Sequence, residues 1–239
     1  MKKYIIIFWT LVFTGILSVF LVFFLAEQGY FGKMPTIQDL ENPKSNLASV
    51  IYSSDGQELG KYFYQNRTNA RYKDLSPYLV NALIATEDER FFDHSGIDFK
   101  GTLRAFVYLG SRGGASTITQ QLARQLFVGA HASNTFYRLM QKVKEWVLAV
   151  QLESRYTKKE ILTMYLNIYD FNYQADGVES AARIYFNKKP HELNIQECAT
   201  LVGMLKNSSL YNPIRRAELT KNRRNIVVVG EQLLRTIRS

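Results

Sequence analysis

Two glutamates stand where an ordinary helical protein would place apolar residues. With Val80 through Phe91 set on one helix, Val80, Leu83 and Ile84 lie at i−7, i−4 and i−3 from Glu87 and Phe91 lies at i+4, so the carboxylate shares the apolar stripe. A second helix over Met140 to Glu153 repeats the arrangement. There Glu145 shares a face with Leu148, Ala149 and Leu152, while Val143, Val147 and Val150 take the other side. A carboxylate withdrawn from water has its charged form disfavoured, which moves it toward useful proton transfer near neutral pH. Two such groups in one domain suit glycosyl transfer or glycoside cleavage. Surface acids, or buried acids paired with Lys and Arg, give the same periodicity, so the count alone leaves both readings open.

Between the glutamates runs Gly113-Gly114-Ala115-Ser116-Thr117-Ile118-Thr119-Gln120-Gln121-Leu122-Ala123-Arg124-Gln125-Leu126. Two glycines, a Ser or Thr cap and paired glutamines describe a flexible loop feeding an amide-lined helix start, where backbone N–H groups favour anions. A surface loop before an ordinary capped helix fits equally well. His94, His131 and His191 are too scattered for a metal site, and His94 reads as a structural or hydrogen-bonding residue. Asp88 reads as an orienting neighbour of Glu87 or as a surface acid.

The elements that must hold these groups are mostly helical from Ser76 onward. Ser76-Pro77 supplies a cap and an N1 proline, and Thr157 to Glu160 and Asn194 to Glu197 have the form of capping boxes. Upstream, Ser49-Val50-Ile51-Tyr52, a turn at Asp55-Gly56, then Leu59 and Tyr62-Phe63-Tyr64 read as a β-hairpin. Residues 4–26 carry no charge and are long enough to cross a bilayer, with Lys2 and Lys3 before them and Glu27 after. By the positive-inside tendency the amino terminus is cytoplasmic and the remainder extracytoplasmic. A cleaved signal peptide is the alternative, although its apolar region typically runs only ~7–15 residues. The organisation is a cytoplasmic tail over 1–3, a transmembrane helix over 4–26, a Gly/Pro/Asn-bearing linker over 27–46, a catalytic domain over 47–216 and a basic helical segment over 217–239.

The 239 residues allow one sizeable core, and 46% hydrophobic content excludes a disordered chain. A net charge of +9 favours an acidic partner: nucleic acid, an anionic membrane surface or a phosphorylated substrate. The membrane span argues against nucleic acid. Cys198, inside Cys198-Ala199-Thr200-Leu201-Val202, reads as a packed free thiol.

Five segments in order carry a family resemblance: Ala85-Thr86-Glu87-Asp88-Glu89-Arg90-Phe91-Phe92-Asp93-His94-Ser95-Gly96; Ser116-Thr117-Ile118-Thr119-Gln120-Gln121-Leu122; Lys142-Val143-Lys144-Glu145-Trp146 through Leu152-Glu153; Glu160-Ile161-Leu162, Tyr165-Leu166-Asn167, Gly177-Val178 and Ala181-Ala182; and Leu201-Val202-Gly203-Met204-Leu205 through Tyr211-Asn212-Pro213. From about Ser49 to Asn225 the chain resembles glycosyltransferase family 51, the peptidoglycan glycosyltransferase of class A penicillin-binding proteins and monofunctional enzymes. With the elements above, the fold class is mainly α: a lysozyme-like helical domain with a small N-terminal β-hairpin and one N-terminal transmembrane helix. The resemblance implies polymerisation of lipid II on the outer (periplasmic) side of a bacterial inner membrane, the growing strand as donor, with inversion to a β-1,4 link and release of undecaprenyl pyrophosphate. It makes Glu87 the general base and Glu145 the carboxylate that assists the leaving group, directly or through a divalent cation such as Mg2+ or Mn2+. Arg104, Ser116, Thr117, Gln120, Gln121, Arg124, Lys142 and Lys144 match substrate-binding positions, where a leaving pyrophosphate needs neutralising. Inner-membrane lipids and other cell-wall synthesis proteins are the implied partners.

Some positions depart from the common family pattern. Ala115 separates the glycines from Ser116, Arg124-Gln125 replaces a frequent Lys-Asn, and Gln141 stands where an arginine is common. Asp170 to Gly177 lacks a glycine that often precedes its aromatic, which implies a stiffer loop. A lytic transglycosylase or hydrolase on a similar fold is the rival enzyme, and a membrane-anchored assembly scaffold of weak activity is the rival outside catalysis. The chain alone leaves open whether a bifunctional protein continues beyond it.

Overall fold

Short polar caps set where the helices begin, and the apolar stripes behind those caps decide what the helices bury. The computed structural model describes residues 2–30, 35–36, 49–52, 58–62, 69–108, 114–129 and 134–238. Helix α1 (Lys2–Glu27) is 26 residues long and almost wholly apolar, enough by length and composition to cross a membrane. Strands β1 (Ser49–Tyr52) and β2 (Glu58–Tyr62) pair antiparallel, Ser49 opposite Tyr62 and Ile51 opposite Gly60, with an irregularity between Ile51 and Tyr52. The Asp55-Gly56 turn and Phe63-Tyr64 lie outside the described residues.

The helical body follows as α2 (Pro77–Glu87), α3 (Phe99–Val107), α4 (Ile118–Ala123), α5 (Thr135–Glu153), α6 (Lys158–Ile168), α7 (Gly177–Phe186), α8 (Ile195–Leu205) and α9 (Ala217–Arg238). Helix α4 runs directly into a π-helical turn over Arg124–Val128. Its own N-cap is Thr117, whose hydroxyl accepts from Gln120 N. Both expected capping boxes are present, Thr157 with Glu160 and Asn194 with Glu197. Ser76 occupies the cap position before Pro77, but its hydroxyl donates to the Leu193 carbonyl at 3.1 Å rather than capping its own helix. It ties the start of α2 to the entry of α8 instead.

One core joins these helices: Leu79, Leu83 and Ile84 of α2, Ile118 and Leu122 of α4, Leu148 and Leu152 of α5, Ile161 and Tyr165 of α6, and Leu201 and Val202 of α8 are all 0–1% exposed. Cys198 is buried within it, and burial pushes its thiol up to about 12. Helix α4 packs on both α5 and α6, and α1 packs on α5, where Phe23 meets the Trp146 ring at 6.0 Å. Asn167 pins the chain before α2 to the end of α6, accepting from Ala70 N at 3.0 Å and donating to Ala70 O at 2.9 Å.

The expected helix from Val80 through Phe91 is shorter than the apolar count implied. Asp88 leaves the helix at φ −160, ψ 76, and Phe91 sits on a separate 3-10 turn over Phe91–Asp93. Phe91 is nevertheless fully buried. The break has a cause in the side chain of Asp88, which accepts from Ile118 N at 3.0 Å and meets His94 Nε2 at 3.1 Å. The loop after α6 carries a second departure: Asn172, Tyr173 and Gln174 stand in succession in the left-handed region, at φ 63, 54 and 60. Outside glycine and asparagine that conformation costs about 1–2 kcal/mol per residue.

Candidate active site

Helix α4 is only six residues long, yet of its two central glutamines one bonds Glu87 directly and the other reaches Glu145 through Lys142. Gln121 Nε2 donates to Glu87 Oε2 at 2.9 Å, and its Oε1 accepts from the Tyr165 hydroxyl at 2.8 Å. The tyrosine thereby fixes which end of the amide faces Glu87. Burial, reinforced by the Glu87 charge, pushes the Tyr165 hydroxyl well above its ordinary range, so it remains a neutral donor. Glu87 is half-buried at the last position of α2, and among the described residues its Oε1 has no hydrogen-bond partner.

Gln120 faces the opposite way. Its Oε1 accepts from Lys142 Nζ at 3.0 Å, and the same ammonium donates to Ser116 Oγ at 2.9 Å and Glu145 Oε2 at 2.9 Å. All three ammonium protons are thus directed. Glu145 is 4% exposed, against the core face of α5 beside Leu148, Ala149 and Leu152, as the stripe predicts. The Lys142 side chain keeps 34% exposure, so the pair joins a buried anion to a cation that still reaches solvent.

The carbonyl of Gly96 anchors this arrangement from the first motif, accepting from Thr117 Oγ1 at 2.7 Å and from Gln120 Nε2 at 3.2 Å. Gly96 has φ 89, and a Cβ there would lie 2.8 Å from the Ala149 carbonyl carbon. Only glycine lets this loop lie against α5. A further network, unforeseen in the sequence, sits beneath: Glu153 Oε1 accepts from Thr119 Oγ1 at 2.6 Å and Lys158 Nζ at 2.8 Å, and Lys158 also donates to His94 O at 2.6 Å.

Of two cavities here, one is lined by Glu87 and the other by its partner Gln121. The smaller, about 60 Å³, is lined by Glu87 itself with Arg104, Ser116 and Thr117 among others. The larger, about 530 Å³, begins at Gln121 and Arg124 and continues past Tyr169 and Asp170 to Lys206 and Ser208. Arg104 is exposed on α3 and enters no ion pair among the described residues. Of the expected cations, Arg104 and Arg124 line these cavities, Lys142 meets the smaller one's wall only through Ser116, and Lys144 lines neither. It is half-buried and unpaired among the described residues, and burial pushes its ammonium below the usual lysine range.

A family model described as transglycosylase matches residues 55–231.

The chain belongs to the transglycosylase family.

Among its relatives, penicillin-binding protein 1A of Escherichia coli (strain K12) is 38% identical over 200 residues, covering 82% of this chain and 23% of that protein. Penicillin-binding protein 2a of Streptococcus pneumoniae (strain D39) is 38% identical over 196 residues, 82% of this chain and 26% of the relative. Penicillin-binding protein 1A of Haemophilus influenzae is 40% identical over 182 residues, 74% and 21% respectively. This chain therefore spans about a quarter of the length of the curated relatives it matches. A crystal structure of penicillin-binding protein 1A from Haemophilus influenzae is a weak structural likeness, with TM-score 0.41 and 22% identity over 78% of this chain and 18% of that one.

In this transglycosylase the first three motifs are brought together by hydrogen bonds rather than by proximity in sequence. Glu87, Gln121, Gln120, Lys142, Ser116 and Glu145 form two linked groups about α4, with Thr117 supporting them and Arg104 and Arg124 at the cavity walls. Among the described residues no group of three His, Cys, Asp or Glu side chains comes together. Glu145, the carboxylate that the family resemblance would have act through a divalent cation, already faces an ammonium at 2.9 Å, and that arrangement does not fit a divalent ion held on Glu145.

Proposed function

We propose that this transglycosylase is a peptidoglycan glycosyltransferase that extends glycan strands from lipid II, with Glu87 as base. The observation that carries the reading is the pair Gln120–Gln121, which holds one carboxylate open toward a cavity and ties the other, through Lys142, to that cavity's Ser116 wall. Gln121 occupies Glu87 Oε2 and leaves Oε1 to accept the proton of the acceptor's 4-hydroxyl. As that oxygen bonds to the donor's anomeric carbon, the bond to the lipid pyrophosphate breaks and its electrons leave with the phosphate oxygen. One displacement inverts the centre and gives a β link.

The developing negative charge needs fixed cations, and prearranged groups of this kind are worth roughly 10²–10³ in rate each. Lys142 is the best preorganised, because Ser116, Gln120 and Glu145 hold it without further reorganisation. Glu145 then acts on the leaving group through Lys142. Arg104 and Arg124 supply further charge from the cavity walls. A divalent ion carried in on the pyrophosphate fits this scheme; one held on Glu145 does not.

The substrate's lipid agrees with the surface. Phe99, Leu103 and Phe106, on the helix that carries Arg104, are 73%, 64% and 78% exposed, and Phe136, Tyr137 and Leu139 at the start of α5 are about as open. These faces suit contact with a bilayer, with α1 as the anchor, the amino terminus cytoplasmic and the domain on the outer side of the inner membrane. We also infer that β1 and β2 form the hairpin turned at Asp55-Gly56 and that the helical body is lysozyme-like. Incubating the purified chain with lipid II and resolving the products by size tests the proposal: polymer supports it, and shortened pre-made strands without polymer would identify a hydrolase instead.

A further inference from the structure

A third cavity, of about 260 Å³, is lined by Asn172, Tyr173, Ser209, Asn212 and Arg215 and plays no part in the chemistry above. Its walls neighbour those of the large cavity that begins at Gln121: Asp170 and Ser208 line that cavity, while Asn172 and Ser209 line this one. Asn172 Nδ2 bridges the two by donating to Ser208 Oγ at 2.7 Å.

The loop presenting Tyr173 is held in an unfavourable shape by several independent ties. Asn172, Tyr173 and Gln174 are all left-handed. Asn172 N donates to Asp170 Oδ1 at 2.7 Å, the Tyr185 hydroxyl donates to Phe171 O at 2.6 Å, and fully buried Asn212 donates to that hydroxyl at 3.0 Å. Strain that is over-determined in this way marks a place where a side chain is being aimed. The side chain aimed is Tyr173, 48% exposed at the cavity wall, opposite an exposed Arg215 whose guanidinium has no partner among the described residues.

We propose that this cavity is a distal subsite for the glycan strand, several sugars from the reacting bond. A half-exposed aromatic ring offers the apolar face that a sugar's C–H face covers, Ser209 and Asn172 offer hydrogen bonds to hydroxyl and acetamido groups, and Arg215 fits a carboxylate carried by the strand's peptide stems. The inference rests on the glycosyltransferase reading for its ligand.

The test uses the full chain in detergent with two donors, lipid II and a lipid-linked octasaccharide. Tyr173→Ala and Arg215→Ala are expected to join two lipid II molecules within about twofold of the wild-type rate but to use the octasaccharide roughly five- to tenfold less well, with shorter products, while Tyr173→Phe behaves as wild type. Unchanged product lengths and donor preference in both alanine variants overturn the subsite. Soluble linear strands titrated against the NMR signals of Tyr173 read binding without turnover, so a wild-type chain that makes no polymer is distinguished from one that lacks the subsite. Saturable shifts that weaken in Arg215→Ala are expected, as is equally weak binding of strands stripped of their peptide stems; no shift at any strand length, or stripped strands binding wild type as tightly as intact ones, contradicts it.

Discussion

Replacing Lys142 by methionine separates the structural and chemical roles of the Lys142–Glu145 pair. The ammonium makes three hydrogen bonds of 2.9–3.0 Å, and its removal leaves a 4% exposed carboxylate without its cation. Breaking a buried pair costs about 3–5 kcal/mol, but the lysine side chain is one-third exposed and part of the attraction is screened, so about 2–3 kcal/mol is expected. In a domain of this size that lowers Tm by roughly 5–10 °C. Adding Glu145→Gln removes the stranded charge, and the double variant is expected to regain stability to within about 1 kcal/mol of wild type. Polymerisation should not return with it, because the cation facing the leaving group is still missing, and rates should stay down by roughly 10²–10³. Thermal denaturation and a lipid II turnover assay on the four proteins of the cycle decide the matter. A double variant that regains both stability and activity would refute the assignment of Lys142 to the leaving group.

Three further outcomes follow from the same geometry. Gly96→Ala, forced into contact with the Ala149 backbone at φ 89, should shift the carbonyl that receives Thr117 and Gln120 and cost about 3 kcal/mol in denaturant stability, whereas Gly114→Ala, with open space around it, should be silent. Gln121→Leu should lower kcat by roughly 10–100-fold with little change in KM, and Tyr165→Phe should move kcat the same way but less, since it only orients the amide. At alkaline pH the Tyr169 hydroxyl, pushed up to about 12 chiefly by burial, binds its proton more tightly folded than unfolded; its contribution is whole below about pH 10 and is lost as pH rises toward 12. Denaturation midpoints between pH 9 and 11.5 should fall, and fall less in Tyr169→Phe.

Much of this site was legible before the fold was known, because helical periodicity reports burial. The stripe of Leu148, Ala149 and Leu152 placed Glu145 in the core. The stripe around Glu87 was right about Val80, Leu83 and Ile84 but ran too far, since periodicity cannot see that the Asp88 side chain is committed to Ile118 N and His94. Capping boxes at Thr157 and Asn194 were readable as local motifs, whereas the Ser76 hydroxyl was taken by Leu193, 117 positions away. The linking roles of Gln120 and Gln121 were equally hidden: side chains adjacent in sequence point to opposite partners, and only the packing of α4 between α5 and α6 shows which. Matching family positions drew Lys144 into the substrate site with Lys142. The helix turns by about 100° per residue, and of the two lysines Lys142 is the one that bonds Glu145 and the Ser116 wall.

The central claim is that the open oxygen of Glu87 takes the acceptor's proton, and Glu87→Gln tests it most directly. The amide keeps the size of the side chain and can still face Gln121, so the variant should melt within about 1 kcal/mol of wild type. The measurement is polymer formed from lipid II by the intact chain under single-turnover and steady-state conditions. No detectable strand is expected from the folded variant. Polymer at a substantial fraction of the wild-type rate would contradict this and remove Glu87 from the chemistry.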